Sequence, residues 1–177
     1  MKNHTWILLA VVFLAFSIAC EKVLKDENLT LKKRPYIGNE LRLDGFFYEE
    51  GVDDGYYIEG FFYQNGILLN SGGFYTENEL NDLRNSIISG YFNSKVKENK
   101  YAWGLFVIDS NFIKFERYYN SDAVPKSSYI KYGKILNDST FIMTKMTRSD
   151  GSESKTINET YHFKQFSPKP DSTNKFI

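Results

Sequence analysis

The chain has 177 residues, with Lys plus Arg and Asp plus Glu each numbering 22, so its formal charge is zero. With no basic stripe to track a phosphate backbone, a nucleic-acid partner is disfavoured. Aromatics reach 17%, including 15 Phe and 13 Tyr; such residues favour pleated surfaces, and the length suits one domain with its own core.

The first predicted element is a targeting segment. Lys2 precedes an apolar run over residues 6–16, and Cys20, the sole cysteine, follows the small residue Ala19. A short positive start, an apolar core of this length and small residues before a cut describe a secretory signal. A spanning helix would need about 20 apolar residues. A lone cysteine has no disulfide partner within the chain. The stretch Ser17-Ile18-Ala19-Cys20 resembles the lipobox of bacterial lipoproteins. That resemblance implies cleavage between Ala19 and Cys20, acylation of Cys20 with palmitate-type chains, and attachment to the lipid bilayer of the outer membrane. Its periplasmic or cell-surface face is left open. Each buried methylene contributes about 0.8 kcal/mol, so two or more chains hold firmly. The plainer alternative is an ordinary secretory signal with Cys20 as a bystander. Lys25-Asp26-Glu27 resembles the lysine-plus-acidic signal that exports lipoproteins to the surface in some Gram-negative bacteria, and also suits a solvated tether.

The segmentation is therefore a signal over 1–19, a lipidated N-terminus and irregular tether over 20–39, a β domain over 40–166 and an extended tail over 167–177. Strands are predicted at 41–48, 56–63 and 67–74, the third loosened by Gly72-Gly73. The pattern G-F-F-Y-x-x-G occurs at 45–51 and again at 60–66, so one strand recipe is used twice. Asn65-Gly66 between the second and third strands is a type I′ hairpin signal. One helix is predicted at 77–89. Thr76 and Glu79 form its capping box, Leu80, Leu83 and Ile87 its apolar face, and Gly90 its stop. It would pack over a sheet or act as a lid. Further strands follow at 101–108, 112–119, 129–136, 140–147 and 155–166. Eight antiparallel strands with a helix between the third and fourth form a mainly β meander. The arrangement resembles a lipocalin-like barrel, closed or partly open, with a two-sheet sandwich as the alternative. Such a barrel is either filled by side chains or holds one small ligand.

Candidate chemistry is sparse. His162, the one histidine beyond the signal, falls on the outward parity of the last strand. No Cys/His set has zinc spacing and no serine sits in a nucleophile elbow, so no catalytic residue, metal or cofactor is assigned. The acidic loop with Glu49, Glu50, Asp53 and Asp54 is read as solvated hairpin charge rather than a calcium site. Asp44 and Glu59 occupy matching places in the echoed strands. They are expected outward and staggered, since like charges directly opposite are unfavourable. Phe47 and Phe62 share one strand face. Phe46, Tyr48, Phe61 and Tyr63 share the other, and are the candidate ligand or partner aromatics unless helix and tether cover them. Asp138-Ser139-Thr140 and Asp171-Ser172-Thr173 resemble a three-residue O-glycosylation acceptor of some Gram-negative bacteria. The expectation is an envelope lipoprotein that binds a hydrophobic or glycan ligand or an envelope protein partner without catalysis. The alternative is a structural or assembly accessory with no ligand cavity, and a hydrolase has the least support.

Overall fold

A computed structural model describes residues 27–50, 55–119 and 126–177. The signal, Ala19, Cys20, Lys25, Asp26, residues 51–54 and Pro125 lie outside the described residues.

The strands are β1 (Gly45–Glu50), β2 (Tyr56–Phe62), β3 (Ile67–Leu69), β4 (Phe74–Tyr75), β5 (Trp103–Asp109), β6 (Phe112–Tyr118), β7 (Ser128–Asn137), β8 (Thr140–Arg148) and β9 (Ser154–Gln165). All pairings are antiparallel, and β1 bonds to both β9 and β2, so the sheet closes on itself. β3 and β4 lie along the same side of β2, at its two ends. They are halves of the expected third strand, parted at Gly72 and Gly73, which both take positive φ. Eight strand positions thus make a closed barrel, which removes the exposed edges a sandwich would leave. The first strand starts at Gly45, not at 41. Leu41 instead turns inward, its amide bonded by the Tyr36 hydroxyl at 2.8 Å.

The turn at Asn65-Gly66 differs from the type I′ expectation. Tyr63 N–H donates to the Ile67 carbonyl at 3.0 Å and Gly66 N–H to the Tyr63 carbonyl at 2.9 Å, enclosing three residues. Only Gly66 takes positive φ, at 81°, as in a type I turn followed by a glycine bulge. Asn65 is held by its side chain, which donates to Ser172 Oγ at 2.9 Å and accepts from Ile67 N–H.

Alternation produces two cores. Phe47, Phe62, Leu68, Phe106, Ile113, Phe115, Ile135, Phe141, Met143 and Tyr161 fill the barrel, and Tyr36 and Leu41 close one end. Ring centroids stand 4.9 Å apart for Phe47–Phe141 and for Phe62–Phe106, so this end is packed solid with tilted and edge-on rings. The second core lies outside the barrel wall. Phe46, Ile58, Phe61, Tyr63, Trp103 and Phe166 are covered there by α1 (Glu77–Ile88) through Leu80 and Leu83. Both halves of the predicted capping box form. Tyr56 and Lys164 both reach Glu77 Oε1 at 2.6 Å, fastening the helix start to β2 and β9. The helix is a wall cover, not a lid.

The tether and tail are irregular, yet both pack. Glu116 is fully buried, and its carboxylate accepts from Thr30 N–H, Thr30 Oγ1, Leu31 N–H and Ser149 Oγ. Glu27 is bound by Ser128 N–H and Arg148. At the tail, Tyr63 donates to the Pro170 carbonyl at 2.8 Å, Lys97 pairs with Asp171 at 2.8 Å, and Phe176 and Ile177 join the outer core.

Candidate functional site

The opposite end of the barrel is polar. β1 and β2 pair Phe47 with Gly60 and Tyr48 with Ile58, leaving Glu59 as the extra residue of a bulge. A bulge re-aims side chains. Here it turns Ile58 outward under α1 and Glu59 into the barrel, where Glu59 is only 5% exposed. The expectation of an outward Glu59 is therefore overturned. Asp44 is no partner to it either: it is exposed and forms a two-point ion pair with Arg42.

Around Glu59 the barrel assembles Arg117 from β6, Lys131 from β7, and Glu159 and Tyr161 from β9. Arg117 holds Glu59 through both Nε and Nη2, and its Nη1 donates to the Tyr118 carbonyl. Lys131 Nζ lies 2.6 Å from Glu159, 2.7 Å from Tyr161 Oη and 3.6 Å from Glu59. Tyr161 Oη in turn donates to Glu159 at 2.6 Å. Asn70 ties β3 to this corner by donating to the Glu59 carbonyl at 2.7 Å. Arg117 also sits 4.5 Å over the Tyr119 ring.

The electrostatics follow from burial and pairing. Burial pushes the Glu59 carboxyl up, but Arg117 and Lys131 outweigh it and hold the group below its ordinary value. Burial lowers Lys131 in the same way, and Glu59 more than restores it, so the ammonium is held charged. The Tyr161 hydroxyl is pushed well above its usual range by burial and by Glu59, and stays a neutral donor. Glu49, at the rim, is raised by burial and then by the nearby Glu159 charge.

Above these groups lies a cavity of about 340 Å³, lined by Glu49, Tyr57, Glu59, Arg117, Lys131 and Tyr161, with Asn70, Gly72 and Gly73 along one side. Tyr57 stands 48% exposed at its lip, its ring 5.0 Å from that of Phe74. No residue of α1 lines it.

No protein-family model, curated protein or solved structure matches the chain significantly. A fold alone carries no activity, so function is read from the site's own chemistry.

The residues singled out from sequence fall elsewhere. Phe46 and Phe61 are fully buried, Tyr63 is buried, and Tyr48 is half-buried, 4.8 Å from Tyr56. These four are outer core beneath α1 and the tail, not a binding face. His162 lies opposite Tyr48 on the outward parity, as expected, remote from the cavity. Of the acidic loop, Glu49 belongs to the cavity rim, while Asp53 and Asp54 lie outside the described residues. Among the described residues no three His, Cys, Asp or Glu groups are placed to hold a metal. Ser139 lies in the β7–β8 turn and donates to Asn137; Thr173 hydrogen-bonds Asp171 and accepts from Lys97.

Arg117, Lys131 and Glu159 belong to no sequence motif, yet the strand pattern carries a signal for them. Arg117 follows Ile113 and Phe115 on one parity, and Glu159 lies between Ile157 and Tyr161 on another. A charge on the apolar parity of a strand has to find a buried partner.

Proposed function

We propose that the chain is an outer-membrane lipoprotein, anchored through an acylated Cys20, whose barrel mouth binds a small polar ligand without catalysis. The observation that carries the binding half is the cavity of about 340 Å³ set over a buried charged floor. That volume sits at the small end of ligand sites, and convergent polar groups with perturbed titration mark such sites. The packed aromatic half leaves a hydrophobic ligand no room, so a glycan-type ligand is favoured over a lipid tail. Tyr57 offers the exposed ring on which a sugar stacks. A hydrolase would need, beside a raised acid such as Glu49, a second carboxyl free to act as base or nucleophile. Glu59 is instead tied up by Arg117 and Lys131, which favours recognition over hydrolysis.

The anchor half rests on Ser17-Ile18-Ala19-Cys20. Intact mass of the mature N-terminus tests it: a chain starting at an acylated Cys20 is expected, and Cys20→Ala should leave uncut, unlipidated protein. An unmodified thiol would remove the anchor. Titration of the full chain with small sugars, followed by amide NMR shifts at Tyr57 and Arg117, tests the binding half. Unmoved resonances would leave the accessory role.

A further inference from the structure

We infer that the mouth is built for a ligand carrying an ammonium group beside hydroxyls, an amino sugar being the simplest form; this rests on reading the mouth as the ligand site. The inference comes from which charges are already used. Arg117 spends Nε and Nη2 on Glu59 and Nη1 on a main-chain carbonyl. Lys131 directs its ammonium at Glu159, Tyr161 and Glu59. Both cations that could attract an anionic ligand are thus neutralised from within the barrel wall.

The carboxylates are not matched in the same way. Glu49, Glu59 and Glu159 face Arg117 and Lys131, three negative charges against two positive ones. Glu59 and Glu159 take both cations. The Glu49 carboxylate lines the cavity and, among the described residues, accepts no hydrogen bond and joins no ion pair. Glu159 and Glu59 crowd it, and Lys131 acts on it only through space and offsets them in part. A carboxylate placed so gains from a cation and repels an anion. Tyr57 supplies the second element, since an exposed aromatic face at the same lip attracts an ammonium as well as the C–H face of a sugar. Asn70, which lines the same cavity, is placed to meet a ligand hydroxyl. Fixed donors and acceptors of this kind orient a polar ligand rather than merely retain it.

Three probes on one pyranose ring separate charge from fit: glucosamine, its near-isosteric neutral counterpart glucose and the bulkier neutral N-acetylglucosamine, titrated into the full chain near neutral pH and followed by calorimetry and amide NMR shifts. Glucosamine should bind at least tenfold more tightly than either neutral sugar. Glu49→Gln, an isosteric change at a half-buried rim position, should erase that preference and leave weak binding of all three. Tyr57→Ala should weaken all three together. Equal binding of the three sugars, or a preference that survives Glu49→Gln, would overturn the ammonium inference while leaving the mouth as a sugar site. If none of the three moves a cavity resonance at millimolar concentration, both the inference and the site reading fall.

Discussion

Glu59 is the residue on which the barrel mouth turns. It is bound by Arg117 and Lys131, and burial alone would push its carboxyl the other way. Removing one member of a buried ion pair leaves the other uncompensated, which costs about 3–5 kcal/mol. Glu59→Gln should therefore destabilise the fold at neutral pH by about 3 kcal/mol, because Arg117 loses its partner. The pH dependence has a definite sign. A carboxyl held low in the folded state contributes stability above its unfolded value of about 4.3. That contribution fades as pH falls through the depressed folded value. Urea midpoints of wild type and Glu59→Gln should thus differ fully above about pH 4.3 and converge only as pH falls through the depressed folded value. A gap that stays constant on acidification would show that the charge of Glu59 is not what holds this corner.

The bulge in β2 is the element that creates the site, and Gly60 makes it feasible. A Cβ at Gly60 would lie 2.5 Å from Leu68 Cδ1 and 2.7 Å from the Leu69 carbonyl oxygen. The backbone of β3 thus runs too close for any side chain. Gly60→Ala should cost about 1–3 kcal/mol through overpacking and weaken binding at the mouth by shifting Glu59. Chemical denaturation together with the sugar titration checks both, and an unchanged midpoint would count against the close approach. This element also shows where sequence reading stops. The eight strand positions and α1 are legible from alternation, turn residues and the Thr76/Glu79 box. Phe47 and Phe62 are legible as one inner face. The bulge is not, because its register depends on β1 and β3 approaching β2 from both sides. Plain alternation from Phe62 predicts Ile58 inward and Glu59 outward, the reverse of what the fold adopts. The cover over Phe46 and Phe61 is equally non-local: it comes from α1 and from Phe166 and Phe176, far along the chain.

At the scale of the whole molecule, the two barrel ends are unlike, and the chain enters at one of them. Tyr36 and Leu41 close the aromatic end. Glu27 is fixed at the polar end, its N–H bonded to the Lys126 carbonyl and its carboxylate to Ser128 and Arg148. Cys20 stands seven residues earlier, a reach of at most about 25 Å. The aromatic end lies a further barrel height away, about 20 Å for tilted strands of this length. If Cys20 carries the anchor, the mouth is held within about 25 Å of the bilayer, and the fastening of Glu27 favours the orientation with the mouth as the nearer end. The lipidated full chain in vesicles tests this with single thiol-linked fluorophores at Ser152→Cys, in the β8–β9 turn beside the mouth, and at Ile37→Cys, 96% exposed at the far end. Co-flotation with the vesicles first establishes attachment. Nitroxide-headgroup lipids should then quench the Ser152 label several-fold more than the Ile37 label. Attached protein with equal or reversed quenching would mean that the fastening of Glu27 does not set how the barrel stands, and that the mouth is free to face away from the membrane.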